Sequence, residues 1–468
     1  MRTRTQTRTL VQAAVVLATA MLVPLSAQQA RQTPPPPGTP RNFTLPKPTR
    51  FTLPNGLAVT LVPFGQVPKV TLRLVVQAGN LYESADQVWL ADLTGRMLQE
   101  GTKTRASDAV ARDLAGMGGE LSVSVGSDTA SVGTEVLSER AADAARIVAE
   151  VARDPRLPQD AYGRVQAGLL RDLAIQKSTP QAIAEERFAA LMYGDHPYGR
   201  MFPTEAMLKG YTLDQVQAFH RTHFGPNRGR LYVAGVFDPP ALEAAIRDAF
   251  GSWARVDGSP PPPPPARRDR AFALINRADA PQSTIYIGVR VPDPADPDWI
   301  TFSVMNSLLG GSFGSRITTN IREQKGYAYS PYSTVDANVR TAHWMEVADV
   351  TTANTGDALK EIRTEIARLR TEPPPPPELT GIEKNMAGGF VVRNASRGGV
   401  ISQLAFVDLH SLGDDYLAKY VDRVQAVTPE QVTAMAKKYL DPDQMTLVIV
   451  GDEQTVRGQV EGVMKTAQ

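Results

Sequence analysis

The chain has 468 residues, 42% of them hydrophobic, with 50 Lys and Arg against 49 Asp and Glu and a formal net charge of +1. That length gives room for more than one packed core, and near-neutrality excludes electrostatic capture of nucleic acid or anionic lipid as the main business of the molecule. There is no Cys and there are five His, which excludes disulfides and Cys-ligated metal and leaves His, Asp and Glu as the only strong metal ligands.

At the start of the chain, Arg2, Arg4 and Arg8 precede the apolar run Leu10 to Leu25, and Ser26-Ala27 offers a small-residue cleavage point. This predicts a signal peptide over 1–27 and export to the periplasm. A run of about 16 residues, interrupted by Gln12 and Pro24, is short for a bilayer span, so no stable membrane anchor is expected. Residues 28–44, with Pro34 to Pro37, read as a disordered proline-rich stretch, because proline fixes φ and donates no backbone hydrogen bond.

Residues 45–257 read as a first domain. Asn55-Gly56 marks a turn followed by a strand, Val70 to Val76 alternates as a second strand, and Gln87 to Leu98 has helical apolar spacing. Pro260 to Pro265 then defines a linker over 258–269. In the second domain, 270–468, Thr284 to Val291 is a strand. Trp299 to Leu309 is a helix that Gly310-Gly311 would cap, and Asp357 to Leu369 is an amphipathic helix, with Pro373 to Pro377 at a loop tip. The mixture in both halves predicts an α+β layered fold, helices packed on a mostly antiparallel sheet.

The halves also repeat one another. Thr212-Leu-Asp-Gln-Val-Gln-Ala-Phe219 leads through Phe224-Gly-Pro-Asn227 to Leu231-Tyr-Val-Ala-Gly235. Thr428-Pro-Glu-Gln-Val-Thr-Ala-Met435 leads through Leu440-Asp-Pro-Asp443 to Leu447-Val-Ile-Val-Gly451. The two stretches align without gaps at an offset of 216 residues (Thr212 against Thr428).

Thr52-Leu-Pro-Asn-Gly-Leu57, Val76-Gln-Ala-Gly79 and Glu100-Gly-Thr102 in the first half resemble the pitrilysin or insulinase-type metallopeptidases and the mitochondrial processing peptidases. So do Leu308-Leu-Gly-Gly-Ser-Phe-Gly-Ser-Arg316 and Asn320-Ile-Arg-Glu-Gln-Lys-Gly-Tyr-Ala-Tyr-Ser330 in the second. The resemblance implies two homologous sandwich domains forming half of a clam shell around a peptide chamber. In short members of this kind the other half is a separate chain.

Active members carry His-x-x-Glu-His on the first helix, two His on one helical face for zinc and a Glu as general base. Counting back from Glu100 places that motif on Asp92-Leu-Thr-Gly-Arg96. Asp92 and Arg96 then replace the two His, and Gly95 replaces the base. The region of the third ligand falls near Arg171 and Asp172, where one carboxylate alone makes no zinc site. His220 and His223, three apart, lack further ligands, and His196, His343 and His410 are expected to be structural. No Gly-x-Ser-x-Gly elbow follows a strand, and the Gly310-Gly311-Ser-Phe-Gly314 run lacks the Gly-Lys-Ser/Thr ending of a phosphate loop.

What the resemblance retains is in the second half. Arg322 and Tyr329, seven apart, match an Arg and a Tyr that reach across the chamber toward the zinc of the opposite half. A guanidinium and a phenol can hold a substrate carbonyl and stabilise the oxyanion it becomes. Tyr327 is a competing phenol. On spacing alone the better reading is that Arg322 pairs with a nearby carboxylate such as Glu323 while Tyr329 packs in the core; inside this motif the preference reverses. Gly310 and Gly311 could line the chamber, since residues without bulky side chains let a peptide backbone approach. The expectation is a subunit with no cofactor of its own, in heterodimer with a His-x-x-Glu-His chain that holds the zinc and acting with it on unfolded peptides. The alternative is a purely non-catalytic assembly or peptide-binding protein of the same fold.

Overall fold

The computed structural model describes residues 44, 46–258, 260–265 and 270–465. The expected signal peptide, the proline-rich stretch before Thr44, and residues 266–269 of the linker lie outside the described residues. The described residues from Thr44 onward form one compact unit.

The first half begins with strands β1 (Thr49–Thr52), β2 (Ala58–Pro63) and β3 (Lys69–Val76), helices α1 (Leu90–Met97) and α2 (Ser107–Gly116), and strands β4 (Ser122–Val125) and β5 (Ala130–Leu137). Helices α3 (Ala141–Arg153), α4 (Gln159–Gln176), α5 (Pro180–Tyr193), α6 (Glu205–Gly210) and α7 (Leu213–His223) follow, then β6 (Gly229–Gly235) and α8 (Pro239–Gly251). The second half runs β7 (Phe272–Asn276), β8 (Gln282–Val291), α9 (Trp299–Asn306), α10 (Arg316–Thr318), β9 (Tyr332–Asn338) and β10 (Thr341–Thr351). It ends with α11 (Thr355–Leu369), α12 (Pro376–Arg393), α13 (Arg397–Leu409), α14 (Tyr420–Gln425), α15 (Pro429–Tyr439), β11 (Thr446–Gly451) and α16 (Glu453–Lys465).

The strand orders are β1-β2-β6-β3-β5-β4 and β7-β11-β8-β10-β9. Among the described residues only β2 with β6 and β7 with β11 are parallel pairs. Apart from the extra edge strand β1, the sheets have the same order, as the repeat predicts. Its local chemistry matches as well: α7 and α15 each start with a reciprocal capping box, Thr212 with Gln215 and Thr428 with Gln431. The Asn55-Gly56 turn is present, with Gly56 at φ +95° and the Leu53 and Leu57 backbones hydrogen-bonded across it.

Period-two alternation explains how each sheet buries both faces. Val70, Leu72, Leu74 and Val76 of β3 point into a core with α3 and α8. The intervening Thr71 and Arg73 face α13, a helix from the other half. Arg73 Nη1 donates to Ser402 Oγ at 3.0 Å, Tyr232 donates to Asp408 at 2.7 Å, and Arg397 pairs with Glu135 at 3.0 Å. Reciprocally, α5 of the first half lies on β8 and β11 of the second. There Ala184, Phe188, Met192 and Tyr193 pack against Tyr286, Met345, Val347, Val448 and Val450. Burying each of these large side chains is worth about 1.5–3 kcal/mol. The ends of α5 and α13, Tyr193 and Leu409, stand at the repeat's own offset of 216. The repeat is therefore also a reciprocal exchange of helices.

The proline run crosses this junction. His196 Nε2 donates to the Pro262 carbonyl at 3.0 Å and Arg290 Nη1 to that of Pro265 at 3.1 Å, one donor from each half. Two sequence expectations change. Pro376 and Pro377 open α12, where the missing N–H groups cost nothing. The helix from Trp299 runs on as a π-turn, Ser307–Gly311, and neither Gly310 nor Gly311 takes the left-handed conformation of a cap. Among the described residues no helix is long and apolar enough to cross a membrane.

Candidate functional site

The first candidate cluster is built on α1, packed against α4, α7 and β4. The helix starts later than its apolar spacing suggests, because Trp89 adopts a left-handed conformation with φ 68°. Glu83 holds that entry: its carboxylate accepts from the Trp89 N–H at 3.0 Å and the Ala91 N–H at 2.7 Å. Burial, with Asp92 nearby, pushes the Glu83 carboxyl up to about 8. Asn80 donates to Glu83 at 3.2 Å and to Asp92 at 2.7 Å, so Asp92 is tied down within this network. Burial also raises the Asp92 carboxyl, against the opposing pull of Asn80 and Arg96.

Gly95 is buried against β4, and a Cβ built on it would come within 2.6 Å of Val125 Cγ2. Arg96 Nη2 reaches Asp172 Oδ2 on α4. The structure thus brings together the residues that counting assigns to the motif and to the third-ligand region. What it assembles there is an ion pair around a guanidinium, an amide-bound carboxylate and a glycine with no space above it. Zinc takes three or four neutral or anionic ligands. These residues do not fit it, and among the described residues no three His, Asp or Glu side chains converge as a metal site.

The histidines are engaged elsewhere. His220 Nε2 contacts the Ala152 carbonyl at 2.8 Å, and the His223 ring packs at a tilt against those of Phe219 and Tyr82. Burial and the Arg228 charge lower His223 to about 4. His196 Nδ1 accepts from the Tyr198 N–H, His343 Nδ1 shares a 2.8 Å hydrogen bond with the Tyr193 hydroxyl, and His410 packs on Phe406.

The second cluster lies in the second half. After the π-turn the chain passes through an exposed loop to α10, which continues as a second π-turn, Thr319–Gln324, carrying Arg322. The loop base is fixed: Arg316 makes a two-pronged pair with Glu378 of α12, both bonds 2.8 Å. Gly310 and Gly311 separate here. Gly310 is buried, and a Cβ on it would lie 2.5 Å from both Glu346 Oε2 and Ser333 Oγ, so its small size serves the packing beneath the loop. Gly311 is exposed; of the two expected chamber-lining residues, it alone has a backbone open to a peptide.

Arg322 does pair with Glu323, Nε to Oε1 at 3.2 Å. Tyr329, however, is 81% exposed and does not enter the core. The Arg322 guanidinium lies 5.3 Å from the Tyr329 ring centre and 4.3 Å from that of Phe313, itself 73% exposed. Tyr327 is half-buried, with its backbone bonded to Ile321 and Thr351, which leaves Tyr329 as the phenol beside Arg322. Phe313 escaped the sequence reading; the signal was an aromatic residue in a run otherwise made of Gly and Ser. Among the described residues, no hydrogen bond, ion pair or ring contact joins this cluster to the one on α1.

The family model described as Insulinase (Peptidase family M16) matches residues 63–203, which contain α1 and Asp172. The model described as Peptidase M16 inactive domain matches residues 210–386, which contain Arg322 and Tyr329. The chain belongs to peptidase family M16. This M16 chain is 26% identical over 398 residues to an uncharacterized zinc protease of Mycobacterium leprae, covering 84% of this chain and 89% of that protein. Its fold matches the crystal structure of a peptidase M16 inactive domain from Pseudomonas fluorescens with TM-score 0.79 at 24% identity, over 86% of this chain and 98% of that one. It matches a protease from Helicobacter pylori with TM-score 0.82 at 19% identity, over 87% and 100%.

Proposed function

We propose that this M16 chain is the non-zinc-binding subunit of an exported heterodimeric metallopeptidase, supplying half of a peptide chamber and the pair Arg322 and Tyr329 to a His-x-x-Glu-His partner, in which zinc is expected. The observation that carries the reading is a contrast between the halves. On α1 the motif positions are closed by the Arg96–Asp172 pair and the Gly95–Val125 contact. In the second half Arg322 and the exposed Tyr329 stand side by side.

The chemistry follows from the donors. A guanidinium and a phenol, both able to reach one carbonyl of an extended peptide, donate hydrogen bonds that strengthen as the oxygen gains negative charge. Such donors speed the reaction only as far as they bind the transition state better than the ground state. Their effect is thus expected in turnover rather than in peptide affinity.

The test is co-expression with a His-x-x-Glu-His relative from the same source, followed by peptide cleavage by the co-purified complex. Arg322→Ala or Tyr329→Phe should slow turnover about 10²–10³-fold, the usual cost of losing one oxyanion donor, with the dimer intact. Unchanged turnover removes the assigned role, and association without cleavage assigns the chain to non-catalytic assembly.

A further inference from the structure

Arg322 carries the proposed chemistry, yet nothing local to its own turn fixes it. Among the described residues its one ion-pair partner is Glu323, the next residue, 58% exposed against 24% for Arg322, and a pair with one arm in water orders a long side chain weakly. The long arginine stem has about 2 kcal/mol of rotamer entropy to lose before its guanidinium points one way. Something else has to hold it.

Phe313 is placed to do this. The loop that bears it is anchored at its base by the Arg316–Glu378 pair, by Ser315 Oγ donating to Thr318 Oγ1 at 2.9 Å, and by the Ser315 N–H donating to the Ser312 carbonyl at 3.0 Å. Phe313 is 73% exposed and so has no core role. Its ring lies 4.3 Å from the Arg322 guanidinium, well within the roughly 6 Å over which a cation is drawn to an aromatic face. Tyr329 supplies a second ring at 5.3 Å. Both rings sit against one guanidinium and also keep water off part of it, which strengthens the hydrogen bonds it makes with its remaining edge.

We infer that Phe313 is a positioning residue for Arg322: its ring, held out on the glycine-flanked loop, orients the guanidinium toward the peptide carbonyl before substrate arrives. The inference rests on the proposed role of Arg322. It adds a residue that touches no reacting atom and acts through another.

Two arms test it. In the co-purified complex, with an unstructured fluorogenic peptide as probe, Phe313→Ala should lower kcat about fivefold to thirtyfold, the range expected for an interaction of about 1–2 kcal/mol, and leave KM nearly unchanged. Phe313→Trp or Phe313→Tyr, which keep an aromatic face, should restore it. In the isolated full chain, the NMR signal of the Arg322 side-chain Nε–H should move on Phe313→Ala, as the ring's shielding is lost, and return with Phe313→Trp. If Arg322→Ala lowers kcat and Phe313→Ala does not, the positioning role is overturned while the function stands. If neither lowers it, the proposed function fails. The Nε–H signal then decides the remaining claim, an unmoved signal overturning it and a moved one supporting the contact.

Discussion

Arg96 and Asp172 are joined by an ion pair, Nη2 to Oδ2 at 2.5 Å, between α1 and α4. The pair brings together the two chain regions from which an active relative would draw its metal ligands, and fills the place between them with a fixed positive charge. Both side chains are about two-fifths exposed, so the pair itself contributes only about 0–1 kcal/mol. Its consequence is electrostatic: a cation approaching Asp172 meets a guanidinium first. Arg96→Ala is therefore expected to cost no more than about 1 kcal/mol in urea unfolding. A larger loss would make the pair a structural necessity.

Gly95 sets a second, steric barrier. Alanine there would gain about 1 kcal/mol of helix propensity but force a methyl against Val125 Cγ2, at 2.6 Å from the ideal Cβ, at an overpacking cost of about 1–3 kcal/mol. Overpacking should win, so Gly95→Ala lowers the urea midpoint and Val125→Ala added to it recovers most of the loss. A midpoint that rises with Gly95→Ala alone would mean that β4 yields freely.

Glu346 predicts a pH dependence. It lies on β10, fully buried beneath Gly310, with neither carboxyl oxygen hydrogen-bonded among the described residues, and burial raises its pKa well above 4.5. Below the unfolded value both states hold the proton and its contribution is level. Above that value the unfolded chain ionises while the folded one does not, so stability falls with pH, by up to about 1.4 kcal/mol per unit, until the folded pKa is passed. Glu346→Gln removes this term. It should match the parent near about pH 4 and become progressively more stable than the parent as pH rises above about 5. Parallel curves in thermal melts would show that Glu346 is ionised in the fold.

The exchange of α5 and α13 predicts how the halves respond to a cut. A protease site engineered in place of residues 266–269 should, once cleaved, leave two fragments that still elute together. The buried contacts of Phe188 and Met192 on one sheet, and the Arg397, Ser402 and Asp408 bonds on the other, do not pass through the linker. Separation of the fragments without denaturant would contradict the exchange.

The layered α+β fold was legible in outline because turn residues and alternation are local signals and the 216-residue repeat relates the two halves. Thr212 and Thr428 announced matching helix starts, and Thr284 to Val291 its strand. The exchange was not legible: apolar spacing in α5 says that Phe188 is buried and is silent on which sheet buries it. The late start of α1 depends on Glu83, whose carboxylate reaches Trp89 from outside the helix. Gly310 and Gly311 looked like a cap and belong to a π-turn, and what lies against Gly310 is the Glu346 carboxyl, far off in sequence. At the candidate site, the residue identities at Asp92, Gly95 and Arg96 could be read directly. That Arg96 would turn to Asp172, and Phe313 to Arg322, required the folded chain.

The central claim, that the first half of this M16 chain is closed to zinc, is tested most directly by metal analysis of the purified full chain after incubation with zinc and exhaustive dialysis. The prediction is no stoichiometric zinc, with Asp92→Ala and Asp172→Ala variants indistinguishable from the parent. One tightly held zinc per chain, lost on Asp172→Ala, would contradict it.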